Sequence, residues 1–293
     1  MLGRLTHGTA TPLTAPDAPL VARGGPGGSG FGIAYSPFRP GPSPGSTECK
    51  PRDQVEREIN ALDGKYSMIR LYGGECEQIA TLLDIVRNKN FKLFLGIWNV
   101  DGNRGNEVRE LIRQVGGRWD KIDTVSVGNE VINRGAASVG DVIGALRASR
   151  DELRRSGYNG PVVNVDVFVQ VFSHPELCNE SDYCAVNIHP YFDGNRRADE
   201  AGQFVADMVN VVRDHISDKG KRIVVTESGW PWAGNVNGAA VPGRGEQAAA
   251  IESLRNRFAN NAHDLILFSA YDEEWKNPGP LNVEKYWGIK NHY

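Results

Sequence analysis

The chain has 293 residues, 40% of them hydrophobic and 24% charged, enough apolar material to bury one large core or two smaller ones. Its 33 Lys and Arg against 36 Asp and Glu leave a net charge of -3, which offers no basic surface for a nucleic-acid partner and suits a neutral polymer. No stretch reaches the roughly 20 apolar residues of a membrane span, so none is expected.

Residues 1–30 are rich in Gly, Pro, Ser and Thr without apolar periodicity, and read as a disordered tail or linker ahead of one domain over 31–293. The segment Leu2 to Val21 is broken by Thr, Pro and Asp, so it lacks the apolar centre of a signal peptide, and export must be argued from other features. Gly25-Pro26-Gly27-Gly28-Ser29-Gly30 spells a dinucleotide-binding glycine pattern, but it precedes the first strand instead of following one, and Pro26 interrupts it. Gly41-Pro42-Ser43-Pro44-Gly45 matches the serine-hydrolase elbow in letters only, because two prolines cannot form its strand-to-helix turn.

Beyond residue 30, eight short β-branched and aromatic runs recur at 31–36, 68–73, 92–98, 124–130, 162–168, 184–191, 222–230 and 265–271. Several are nearly continuous in apolar residues, as in Ile223-Val224-Val225, which suits strands of a parallel sheet buried on both faces. Between most of them lie helical patterns. Pro51 opens one with Val55, Ile59 and Leu62 on one face, and Ser138 caps another whose Val142, Leu146 and Leu153 make an apolar stripe ending at Gly157. Further helices are predicted over 76–88, 106–115, 199–216 and 247–258, while the segments after the fifth and eighth runs are short or irregular. The alternation predicts an α/β fold, a single-domain (β/α)8 TIM barrel, whose functional residues belong at the C-terminal ends of its strands.

Cys49, Cys76, Cys178 and Cys184 lack the paired spacing of a zinc site, leaving disulfides or buried thiols. The loop pattern favours Cys49 with Cys76 and Cys178 with Cys184. Asn179-Glu180-Ser181 is an N-glycosylation acceptor pattern and adds to the expectation of an extracellular protein. The six histidines are scattered without a ligand spacing, so no metal and no cofactor is expected.

The fourth run ends in Val127-Gly128-Asn129-Glu130 and the seventh in Val225-Thr226-Glu227-Ser228-Gly229-Trp230. A glutamate finishing a buried strand is costly unless it is paired or opens into a cleft. The plain alternative is a rim ion pair with an arginine such as Arg70 or Arg134. Two carboxylates facing each other across a barrel mouth instead suit glycosidic bond cleavage, in which one group protonates the leaving oxygen and the other meets the developing cation. Tyr191 and Trp230, and with less support Trp232 and Trp275, are candidate stacking platforms for sugar rings, although aromatic residues at barrel strands also serve as core. His189 is a further candidate in the mouth.

These two signatures resemble those of glycoside hydrolase family 17, the β-1,3-glucanases of plants and fungal cell walls. Phe31-Gly32-Ile33-Ala34-Tyr35-Ser36-Pro37, Ile69-Arg70-Leu71-Tyr72-Gly73 and Lys285-Tyr286-Trp287-Gly288-Ile289 resemble the fungal cell-wall branch. The resemblance implies Glu130 as acid/base, Glu227 as nucleophile, Asn129 on the sugar 2-hydroxyl and Tyr72 beside the reacting sugar. Glu273 and Lys276, in Tyr271-Asp272-Glu273-Glu274-Trp275-Lys276, are implied to support the nucleophile's surroundings. The expected protein is a monomeric retaining β-1,3-glucanase or glucanosyltransferase of the extracellular space or cell wall, with its carboxylates about 5 to 5.5 Å apart. The rival expectations are a non-catalytic glucan-binding wall protein and a barrel hydrolase for another polysaccharide such as mannan.

Overall fold

The computed structural model describes residues 30–43 and 45–290. The expected tail with its glycine-rich segment lies outside the described residues apart from Gly30, as do residues 291–293 of the expected domain and Pro44 of the rejected elbow. In chain order the elements are β1 (Gly32–Ala34), β2 (Phe38–Pro40), β3 (Thr47–Cys49), α1 (Arg52–Asn60), β4 (Met68–Arg70), α2 (Gln78–Ile85), β5 (Lys92–Ile97), α3 (Arg104–Val115) and β6 (Ile122–Asn129). They continue with α4 (Val139–Arg155), β7 (Val162–Val167), α5 (Phe168–Ser173), α6 (Glu176–Glu180), β8 (Cys184–Asn187), α7 (Ala201–His215), β9 (Ile223–Ser228), α8 (Arg244–Arg257) and β10 (Leu265–Leu267).

Eight parallel strands close the expected barrel in the order β1-β4-β5-β6-β7-β8-β9-β10, with β10 returning to β1. Every residue of β9 is buried, as is all of β8, because helices cover the outside of the ring and side chains fill its inside. A small cluster that includes Met68, Phe94, Val163, Val165, Ala185, Val224 and Ile266 fills the interior. The larger cluster lies between strands and helices, where Val108 and Leu111 of α3 and Leu146 and Leu153 of α4 are buried.

Local chemistry sets the helix ends. Ser138 Oγ accepts the Asp141 N–H at 3.2 Å while Asp141 Oδ2 accepts the Ser138 N–H at 3.0 Å, a reciprocal cap that starts α4. The connection after β7 consists of the two short helices α5 and α6, and no α-helix follows β10 among the described residues. Apart from β6, which starts two residues earlier than its run, the observed strands are shorter than the apolar runs, because residues past each strand's end leave the ring to form the walls of the mouth.

The hairpin β2–β3 was not legible in the sequence. It pairs Phe38 with Cys49 and leaves the barrel between β1 and α1. Cys49 joins Cys76, and Cys178 joins Cys184, as expected. Lys50, just past the hairpin, sits 2.9 Å from Glu58 and over the rings of Tyr35 and Tyr271, anchoring it to the barrel. Phe38 packs edge-on against Trp275, so the hairpin becomes one wall of the cleft.

Candidate active site

At the end of β6 the backbone turns sharply. Gly128 has φ +77°, and a Cβ there would lie 2.9 Å from Val131 Cγ2, so only glycine fits. The ladder to β7 shifts register between Ser126 and Asn129, and Glu130 itself adopts φ +53°, a left-handed conformation that a non-glycine residue rarely holds without support. Its N–H donates to Val165 O at 2.9 Å. Asn187 Nδ2 donates to Glu130 Oε1 at 2.8 Å, and Asn133 Nδ2 lies 3.5 Å from Oε2.

Glu227, on β9, is 6% exposed and bonded at both oxygens. Arg70 Nη1 and the Tyr72 hydroxyl each donate to Oε1 at 2.8 Å, and His189 Nε2 lies 3.2 Å from Oε2. A carboxylate oxygen only accepts, so the contact pairs the Glu227 carboxylate with an N–H at His189 Nε2. Arg70 also donates through Nη1 to Thr226 O and through Nη2 to Asn129 Oδ1, both at 2.8 Å. One guanidinium from β4 therefore ties the residue before the Glu130 position to the Glu227 carboxylate.

The two carboxyls are shifted in opposite directions. Burial raises the Glu130 pKa above the ordinary 4.5, and the charge of Glu227 adds to this against the opposing Asn187 hydrogen bond. Burial pushes Glu227 the same way, but Arg70, then His189 and Tyr72, outweigh it and bring Glu227 to about 2. Tyr72 is itself raised well above its ordinary value, by burial and by the Glu227 charge, and remains a hydrogen donor. Lys276 stays charged despite burial because Glu273, 2.5 Å away, and Glu227 favour the cation.

A cleft of about 450 Å³ opens over this network. Of the residues singled out in the sequence, Tyr72, Asn129, Glu130, Glu227, Glu273 and Lys276 line it together, with Trp275 and His189. Tyr191 and Trp230 do not. Both are 0% exposed, packed on each other with ring centroids 5.5 Å apart; the Trp230 indole donates to Val241 O at 2.9 Å and the Tyr191 hydroxyl to Asn235 O. The expectation that they form sugar platforms is corrected: they are the floor beneath the mouth, and their polar ends are already satisfied by backbone. Trp232 bonds Asp272 and is not among the lining residues.

The lining aromatics that the sequence reading missed are Trp98, at 38% exposure, and Phe192, at 47%, with Phe38, Phe268 and Trp287. Arg134 stacks 4.5 Å over Trp98 and forms no ion pair with either glutamate among the described residues. Arg70 does pair with Glu227, but inside the barrel instead of on its rim. Among the described residues, no three His, Cys, Asp or Glu side chains group to hold a metal ion.

Comparisons with known proteins agree with this fold and give its family. The model of the BtgE/BtgC glycoside hydrolase domain matches residues 32–288. A cell surface mannoprotein of Candida albicans is 40% identical over 269 residues, 91% of this chain and 68% of its own length. A probable family 17 glucosidase of Saccharomyces cerevisiae is 40% identical over 260 residues, 88% of this chain, and a probable beta-glucosidase of Aspergillus fumigatus is 31% identical over 261. The chain spans 64% and 44% of the length of those two glucosidases. Among solved structures, a family 17 β-1,3-glucanosyltransferase from Rhizomucor miehei shares the fold with a TM-score of 0.74 at 22% identity, covering 90% of this chain and 94% of its own. The chain belongs to glycoside hydrolase family 17, with the BtgE/BtgC domain forming its barrel.

Proposed function

We propose that this protein is a retaining β-1,3-glucan hydrolase or glucanosyltransferase of the cell wall, with Glu130 as acid/base and Glu227 as nucleophile. The observation that carries the reading is that two carboxyls line one cleft in environments that push their pKa values apart, Glu130 upward by burial and Glu227 downward by Arg70, His189 and Tyr72. Support for the glucan comes from the relatives, which include a solved glucanosyltransferase complexed with laminaritriose. The two disulfides and the cell surface mannoprotein relative support a place outside the cell.

Glu227 attacks the anomeric carbon as Glu130 gives its proton to the departing oxygen, so the glycosidic bond breaks and a glycosyl ester on Glu227 forms. Glu130, now a carboxylate, takes a proton from water or from an incoming sugar hydroxyl, whose oxygen displaces Glu227 and restores the original configuration. Asn129 Oδ1 is occupied by Arg70, which leaves its Nδ2 to donate to the sugar 2-hydroxyl. Tyr72 and His189 donate to Glu227 and steady its charge before attack. Incubation with laminarin, mannan and cellulose, followed by analysis of released and elongated sugars, tests the reading. Products from laminarin alone are expected; products from mannan alone, or from none, overturn it.

A further inference from the structure

The turn that carries Glu130 is held by a carboxylate with no part in the steps above. Asp166, in β7, is 0% exposed. Its Oδ2 accepts the Ile132 N–H at 2.9 Å, and its Oδ1 accepts the N–H groups of Asn133 at 3.3 Å and Val167 at 2.9 Å. A buried carboxylate is costly unless its lone pairs are filled, and here backbone N–H groups fill them. Two of its three partners belong to the turn directly after Glu130.

That turn must keep Glu130 at its left-handed φ of +53°, a conformation needing outside support. The preceding residue of β7, Val165, accepts the Glu130 N–H, and Asp166 accepts two further donors of the turn, the N–H groups of Ile132 and Asn133. Asn133, fixed through its backbone, returns its side chain to Glu130 Oε2. We infer that Asp166 is a positioning residue for Glu130: it locks the 131–133 turn and thereby sets the orientation of the carboxyl that donates the proton. The inference rests on reading Glu130 as that donor. The charged or titratable groups that act on Glu130 are Glu227, His189 and Asp166, and Arg134 acts on Asp166. Burial raises the Asp166 pKa itself, and where charged it adds, after burial and the charge of Glu227, to the upward shift of Glu130.

Dependence on the leaving group separates positioning from a merely structural role. Cleavage of a laminari-oligosaccharide needs a proton on a poor leaving group, whereas the dinitrophenolate of 2,4-dinitrophenyl β-laminaribioside departs unprotonated. Asp166→Asn keeps the side-chain shape but turns an NH2 toward one backbone donor. Its kcat/KM on the oligosaccharide is expected to fall about 10- to 100-fold, against about 3-fold or less on the dinitrophenyl substrate. The alkaline limb of the oligosaccharide profile moves to lower pH, because Glu130 ionises more readily without the neighbouring charge. Equal losses on both substrates, or an unmoved alkaline limb, would overturn the inference. Asn133→Ala, at an exposed site, keeps the backbone bond to Asp166 and, if Asp166→Asn does not fold, tests the link through which the turn reaches the Glu130 carboxyl. It is expected to lose about 3-fold on the oligosaccharide alone, and an equal loss on both substrates or none overturns the link. Glu130→Gln run in parallel separates the two readings. If it lacks leaving-group dependence, the proton-donor reading fails; if only the Asp166 and Asn133 variants lack it, the positioning role fails.

Discussion

Arg70 Nη1 lies 2.8 Å from Glu227 Oε1, with the two side chains only 1% and 7% exposed. Removing one partner of such a pair strands the other charge, at a cost of about 3 to 5 kcal/mol. Arg70→Met is therefore expected to lower the denaturation midpoint and to raise the Glu227 pKa, since burial then acts without its main counterweight. The acid limb of kcat/KM should move to higher pH. Arg70→Lys keeps the charge but cannot reach Glu227, Thr226 and Asn129 together, so it should recover stability better than turnover. An acid limb unmoved in a folded Arg70→Met would contradict the role given to the guanidinium.

The two glutamates also predict opposite contributions to stability across pH. Glu227 is lowered from 4.5 to about 2 on folding, so its contribution is complete above 4.5 and is lost as pH falls through 2. Glu130 is raised above 4.5, so its contribution is complete below that value and is lost as pH rises through the folded pKa. Glu130→Gln should consequently be more stable than the parent at pH 7, with the difference vanishing below about pH 4. Thermal melts of both proteins at the two pH values measure this, and a Glu130→Gln that melts lower at pH 7 would refute the sign.

The disulfides should differ in weight because they close loops of different length. Cys49 and Cys76 are 27 residues apart and Cys178 and Cys184 are 6 apart. Chain entropy gives about 3.5 kcal/mol for the first and about 2 kcal/mol for the second. Replacing each pair by serine and comparing urea midpoints should show the larger loss for Cys49 and Cys76. That variant should also lose affinity for long glucans, since the hairpin it frees carries Phe38 in the cleft wall. Thiol titration of the denatured, unreduced protein should find no free cysteine.

The barrel was legible because its strands are written as apolar runs, and Glu130 and Glu227 stood out as charges where such runs stop. Arg70 was legible only as one of two possible rim partners, since Glu227 is 157 positions away and nothing in Met68–Arg70 marks an inward guanidinium. Tyr191 and Trp230 illustrate the converse limit. A ring just past a strand end can face the cleft or fold beneath it, and the choice here is made by backbone acceptors at Asn235 and Val241, on a loop whose course the sequence pattern does not give. Trp98 and Phe192 carry the same kind of signal and did reach the cleft. Strands of three residues such as β2 and β3 hold too few positions for a period of two to register.

Stereochemistry provides the last prediction, because the proposed division of labour assigns each carboxyl a face of the sugar. Glu227, anionic and held by Arg70, Tyr72 and His189, is prepared to attack carbon and cannot supply a proton. Glu130, whose pKa burial raises, is the group suited to give the proton and, once it has released it, to act as base for the second displacement. Two inversions then give net retention, and the first reducing end released from a laminari-oligosaccharide should be β by proton NMR, read before mutarotation. Removing each group tests the halves separately. Glu130→Ala with azide should yield a β-glycosyl azide, because azide meets the ester on Glu227 without needing a base. Glu227→Ala with azide should yield the α-azide, because azide replaces the nucleophile itself and inverts once. An α reducing end from the parent enzyme would require water to attack directly, and an α-azide from Glu130→Ala with a β-azide from Glu227→Ala would show that the two roles had been assigned the wrong way round.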